Sequence, residues 1–161
     1  MSEIDQMLAH NQQWEPATPA DLPAPPARKL VIVACMDARV PVLEALGLSI
    51  GEAHVLRNAG GLVTDDALRS LAVSQHALGT RSVVVVQHTD CGMQKYTDDQ
   101  VAGVVRDATG HELPWPAGTF GDLEDNVRAS VARVREADYL VTEDVRGLVY
   151  DVRTGRVHEV V

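Results

Sequence analysis

The chain of 161 residues has only two cysteines, no basic run, no apolar stretch of membrane-spanning length and no internal repeat. Two cysteines in a chain this long do not make a disulfide framework, which leaves a reduced, cytoplasmic protein as the expectation. With a formal charge of -9 and no basic segment, neither nucleic acid nor an anionic membrane surface is an expected partner. No run approaches the roughly 20 apolar residues of a membrane-spanning helix. Met1 to Trp14 is polar and acidic, unlike a secretory signal. The length suits a single domain with a sizeable core.

What is present is an apolar run that ends in chemistry. Leu30-Val31-Ile32-Val33-Ala34 is short and rich in β-branched residues, as a strand buried on both faces of a parallel sheet would be. Cys35, Asp37 and Arg39 follow at alternate positions. In extended backbone they share a face. They would project from the carboxyl end of a buried strand, where open α/β sheets bind ligands. A second apolar strand, Ser82 to Gln87, runs into His88-Thr89-Asp90-Cys91-Gly92. If the two strands are parallel neighbours, two thiols and an imidazole meet at one sheet edge, a donor set suited to zinc.

The remaining pattern supplies the frame. Residues 1–10 suit a short helix with Ile4, Met7 and Leu8 on one side. Pro16, Pro19, Pro23, Pro25 and Pro26 then enforce extended chain, so residues 1–27 read as an arm, either a disordered tail or a strap across a partner subunit anchored by Trp14. Residues 28–161 form the domain. A short helix follows Pro41 and ends at Gly47, and Ala53 to Arg57 is a strand leading into the Asn58-Ala59-Gly60-Gly61 turn. Thr64 caps a helix whose buried stripe is Leu68, Leu71 and Ala72. Thr97 and Gln100 form a capping box for a helix to about Ala108, and Leu123, Val127, Val131 and Val134 mark a longer one ending near Ala137. Residues 147–152 and 157–160 flank a turn and predict a closing hairpin. The fold class is therefore α/β: a mostly parallel central β-sheet with an antiparallel edge strand, flanked by helices and preceded by an N-terminal arm.

The chemistry-bearing residues admit more than one interpretation. Free cysteines are commonly inert core residues, and a lone His-x-x-Cys is weakly specific. Three zinc ligands, Cys35, His88 and Cys91, would leave a fourth position open, the mark of a catalytic site. Asp37 either takes that position and closes the site, or pairs with Arg39 and accepts a hydrogen bond from a water on the metal. A plain surface ion pair of little energetic worth is the third possibility. His10, His111 and His158 read as exposed, and His76 as a packed or surface residue of a helix. His54, opening a strand near the site edge, is a candidate proton shuttle. Trp115 reads as a loop anchor.

Cys35-Met36-Asp37-Ala38-Arg39 followed by His88-Thr89-Asp90-Cys91-Gly92 resembles the β-class carbonic anhydrases, whose pattern is Cys-x-Asp-x-Arg and then His-x-x-Cys about fifty residues on. Arg57-Asn58-Ala59-Gly60 and the Thr154-Gly155 turn are also similar to family segments, and the chain most resembles the short archaeal and mycobacterial type. The resemblance implies one Zn2+ per subunit held by Cys35, His88 and Cys91, with Asp37 and Arg39 as a catalytic dyad. It implies a carbonate dehydratase, a zinc lyase that hydrates carbon dioxide to bicarbonate by zinc-hydroxide attack. It allows Asp37 as a fourth ligand in a closed state. Backbone donors at Gly92 or in the Asn58, Ala59 and Gly60 turn are candidates to steady the substrate or anion. A homodimer or tetramer is implied, since the family builds its pocket at a dimer interface. Hydrolases of carbon disulfide and carbonyl sulfide share the motifs and form the alternative, beside a non-catalytic zinc- or anion-binding homologue.

Overall fold

The computed structural model describes residues 1–16 and 21–161; Pro19 of the expected arm lies outside the described residues. The elements are α1 (Glu3–Asn11), β1 (Leu30–Cys35), α2 (Val42–Ala45), β2 (Ala53–Asn58), α3 (Asp65–His76), β3 (Ser82–His88), α4 (Asp98–Thr109), α5 (Leu123–Arg135), β4 (Asp144–Tyr150) and β5 (Val157–Glu159). They build a single five-stranded sheet of spatial order β2-β1-β3-β4-β5. The first four strands run parallel, and β5 pairs antiparallel with β4, as the hairpin pattern predicts. No described helix is long and apolar enough to cross a membrane.

The chain leaves β1 to form β2 on one side and returns to form β3 on the other. The crevice beyond the carboxyl ends of β1 and β3 is therefore the switch point of the sheet, the place where such folds bind ligands. Strand alternation divides the core in two. Val31, Val33, Val83 and Val85 face Leu68 and Leu71 of α3 and Val131 and Val134 of α5. Gly147 carries no side chain where Val127 of α5 presses on β4, so the helix lies close against the strand. Ile32, Ala34 and Val86 face the other way, toward Val40, Val42 and Tyr150. That second layer is thin: Val55, Val84, Leu148 and Val157 on it are only partly buried.

The helix signals hold. Thr64 accepts a hydrogen bond from the Ala67 N–H, Thr97 and Gln100 form the reciprocal box of α4, and Gly110 ends α4 in the left-handed conformation. Within α3 the inward stripe is Ala67, Leu68, Leu71, Ser74 and Gln75, and Ala72 beside it is only partly buried. Pro41 is the cap of α2 rather than part of its first turn. Trp115 is largely exposed, at the rim of a cleft it shares with Leu62 and Arg133. Helix α1 buries none of its residues, and Ile4, Met7, Leu8 and Trp14 are all exposed.

Candidate active site

The site begins where β1 stops. Cys35 is the last residue of the strand and is buried, as are His88 at the end of neighbouring β3 and Cys91 in the turn after it. Parallel pairing of β1 with β3 brings the three together, with their ligating atoms all within 4.8 Å of one another. The imidazole Nδ1 donates to the Thr89 carbonyl at 2.9 Å, since a carbonyl only accepts. That bond leaves Nε2 with its lone pair facing the thiols. Nε2 is the one buried side-chain nitrogen or oxygen among the described residues without a hydrogen-bond partner. A buried imidazole costs stability when unpartnered, and a metal ion is the partner that two sulfurs and a nitrogen fit. The thiols are electrostatically paired. Cys35 is held down at about 4, chiefly by the Cys91 thiol, while the same pairing and burial push Cys91 up. Two thiolates this close repel each other, and a cation between them would offset that repulsion.

Extended backbone does not carry Asp37 and Arg39 onto the face of Cys35. The strand ends at Cys35, and residues from Asp37 form a turn closed by the Val40 N–H on the Asp37 carbonyl at 3.1 Å. Asp37 accepts from the Arg39 backbone N–H at 2.9 Å, a local side-chain turn that two-residue spacing favours. Arg39 then grips the carboxylate with Nε at 2.9 Å and Nη2 at 2.7 Å. This fork geometry is the strong form of the pair. It holds the Asp37 carboxyl well below the usual carboxylate range, against the cost of partial burial. The carboxylate faces Arg39, with Oδ2 3.7 Å from His88 Nε2.

Two arginines act here, and the motif pointed to only one. Arg57, at the end of β2, donates from Nε to the Cys35 carbonyl at 2.8 Å and from Nη2 to the Asp37 carbonyl at 2.6 Å. It ties the backbone on both sides of Met36. Asp90 was also missed: Oδ2 accepts from Arg39 Nη1 at 2.8 Å and Oδ1 lies 2.7 Å from Lys95 Nζ, which draw its carboxyl down to about 2. Gln87 is fully buried and links Asn126 on α5, at 3.0 Å, to the site strand. A polar residue inside an apolar strand was the available signal for it.

The turn after β2 works through its backbone. Asn58 spends its side chain on Leu62, accepting from the N–H at 2.8 Å and donating to the carbonyl at 2.7 Å. Gly61 has φ +64, and a Cβ there would stand 2.8 Å from the Cys35 nitrogen, so only glycine lets the turn reach β1. Ala59, Gly60, Gly92 and Met93 line a cleft of about 150 Å³ together with Cys35, Met36, Asp37 and Cys91. His54 stands apart: it pairs in register with Val31, whereas Asn58 of the same strand pairs with Cys35. Three residues of strand separate it from Asn58 at the site edge, and its Nδ1 meets Ser74 at 2.8 Å. His10, His76, His111 and His158 are exposed.

The sequence model of the carbonic anhydrase family matches residues 30–114, the segment that carries Cys35, Asp37, Arg39, Arg57, His88, Asp90 and Cys91. β-Carbonic anhydrase 1 of Mycobacterium tuberculosis is 45% identical over 162 aligned residues, covering 99% of each chain. The crystal structure of a carbonic anhydrase from Streptococcus mutans superposes with a TM-score of 0.93 at 40% identity, covering 100% of this chain and 99% of that one. A carbon disulfide hydrolase of Acidithiobacillus thiooxidans is 34% identical over 154 aligned residues, 83% of this chain and 77% of its own. Motif, fold and whole-length similarity agree, and the chain belongs to the β-carbonic anhydrase family.

Proposed function

We propose that the protein catalyses the reversible hydration of carbon dioxide to bicarbonate and a proton, with one zinc ion per subunit held by Cys35, His88 and Cys91. The observation that carries this is the unpartnered His88 Nε2 facing two thiols beside a carboxylate that Arg39 occupies. Zinc held there by Cys35, His88 and Cys91 would supply Lewis-acid chemistry, activating water and balancing negative charge on oxygen. Asp37, kept ionised by the Arg39 fork, would accept a hydrogen bond from a water there and orient it. Arg39 fixes the direction of the carboxylate, and Arg57 fixes the backbone from which Cys35 and Asp37 hang. The cleft walled by Ala59, Gly60 and Met93 is small and mostly apolar, matching a linear uncharged substrate. Asn58, its side chain engaged with Leu62, shapes the turn, while Gly92 borders the cleft beside Cys91.

Stopped-flow hydration of carbon dioxide by the zinc-loaded protein tests the proposal. Rapid turnover abolished by Asp37→Ala, with zinc retained, supports it; zinc bound without turnover sinks it. Carbon disulfide hydrolysis is the second reading, favoured by the similarity to the Acidithiobacillus enzyme. Release of sulfide from carbon disulfide without carbon dioxide hydration would select it. If Asp37→Ala instead abolishes zinc binding, a structural zinc site replaces both.

A homodimer, of which tetramers are a further assembly, is supported by two apolar surfaces left open: the exposed side of α1 with Trp14, and the thinly covered second face of the sheet. On this reading residues 1–27 are the arm and 28–161 the catalytic domain. The two free buried thiols support a reducing, cytoplasmic setting.

A further inference from the structure

Arg39 uses two edges of its guanidinium. Nε and Nη2 grip Asp37, while Nη1 donates to Asp90 Oδ2 at 2.8 Å and Nη2 donates again to the Asp90 carbonyl at 3.0 Å. The other Asp90 oxygen is held by Lys95 Nζ at 2.7 Å. Asp90 reaches this position from backbone at φ +56, a conformation that few residues besides glycine, asparagine and aspartate adopt readily. Its neighbour Thr89 is tied to the end of β4, donating its N–H to the Tyr150 carbonyl at 2.9 Å and accepting from the Val152 N–H at 3.1 Å. The Asp90 carboxylate therefore rises from a turn tied to β4; its side chain and that of Arg39 are about equally exposed, at 44% and 47%. Asp37, in turn, needs only a short swing to leave Arg39, since Oδ2 already lies 3.7 Å from His88 Nε2.

We infer that Asp90, braced by Lys95, is a positioning residue: it holds the Arg39 guanidinium in the plane that receives Asp37 and so keeps the Asp37 carboxylate off the metal-binding donors. This rests on the zinc site proposed above. Asp90 touches neither substrate nor donor atoms; it acts through Arg39. An isolated exposed ion pair would contribute little. Here the energy of the pair matters less than its geometry, because two acceptors at fixed places leave the guanidinium one orientation.

The test compares Asp90→Asn, Asp90→Gly and Lys95→Met with the unmodified protein, each loaded with zinc for kinetics and with Co2+ for absorption spectra near neutral pH. Asparagine and glycine both tolerate the left-handed backbone, so neither introduces strain. Freed from its partner, Asp37 occupies the metal in a fraction of molecules. That fraction is inactive, so kcat for carbon dioxide falls about tenfold in Asp90→Gly while KM stays within about twofold. Asp90→Asn falls between, and Lys95→Met moves the same way by less. The Co2+ visible bands shift as a carboxylate joins the donor set, and in an Asp37→Ala background Asp90→Gly shifts nothing further. Unchanged bands and kcat in Asp90→Gly overturn the inference, as does a band shift that persists in the Asp37→Ala background. If Asp90→Gly fails to take up metal, Lys95→Met decides: unchanged bands and kcat there also overturn it. If the unmodified protein does not hydrate carbon dioxide, the proposed activity fails, while the Co2+ comparison still judges Asp90.

Discussion

Asp37 and Arg39 sit two residues apart on one turn and are joined three times, by the Arg39 backbone N–H at 2.9 Å and by side-chain Nε at 2.9 Å and Nη2 at 2.7 Å. The backbone bond survives any change of the Arg39 side chain; the fork does not. Arg39→Lys keeps the charge and loses the fork, so Asp37 retains attraction without direction. Both Arg39→Lys and Arg39→Ala are expected to retain zinc, because neither removes a donor. Turnover falls by about 10- to 100-fold in each, the usual cost of losing such a supporting partner. Metal content by atomic emission and stopped-flow rates on the same samples check this. A lysine variant with unimpaired turnover would refute the need for a fork.

The lesson for sequence reading lies in these same residues. Cys35, Asp37, Arg39, His88 and Cys91 were legible because reactive types cluster where apolar strands stop. The reason given for Asp37 and Arg39, strand alternation, was not the one that operates, since a turn after Cys35 brings them together. Arg57 and Asp90 were illegible because their roles come from strand order: β1 lies between β2, which carries Arg57, and β3, which leads to Asp90. Sequence spacing alone does not report that. His54 was misplaced for the same reason, its register pairing it with Val31 rather than with Cys35. The sheet and its antiparallel edge were legible because valine runs and the Thr154-Gly155 turn are local signals.

Gly61 is expected to tolerate no side chain. Its φ of +64 strains any other residue, and a Cβ would press on the Cys35 nitrogen at 2.8 Å. Left-handed strain and overpacking together make Gly61→Ala destabilising by roughly 3 kcal/mol. Denaturant unfolding measures this directly. Because the backbone displaced is that of Cys35, zinc affinity falls as well. A variant with the parental unfolding midpoint and full zinc content would show that the turn has room to move.

Removal of the metal is expected to lower the melting temperature. The folded chain gathers Cys35, His88 and Cys91, and the unfolded chain scatters them, so a bound ion stabilises the fold. At a free metal concentration of a thousand times Kd the gain is about 4 kcal/mol, or on the order of 10 °C for a domain of this size. Scanning calorimetry with and without a strong chelator reads the difference. His88→Ala removes a ligand, so its melting temperature is expected to respond little to the chelator. An equal response in that variant would locate the metal elsewhere.

The apolar side of α1 gives a prediction about assembly. Ile4, Met7 and Leu8 share that side, and Trp14, 54% exposed, follows the helix; none of them is covered by the described chain. On the second sheet face Val55, Val84 and Leu148 are only partly buried. Apolar surfaces of this kind are stabilised by burial, and a second copy of the chain offers the matching pair to each. Large aromatic anchors dominate such contacts, with truncation commonly costing about 2 kcal/mol or more. Trp14→Ala is therefore expected to weaken the dimer about 30-fold, and removal of residues 1–16 to leave a monomer that still folds, since α1 contributes nothing to the core. Sedimentation velocity across a dilution series gives both values. A shortened chain that sediments as the same dimer would move the interface to the sheet face alone and leave the arm without a role in assembly.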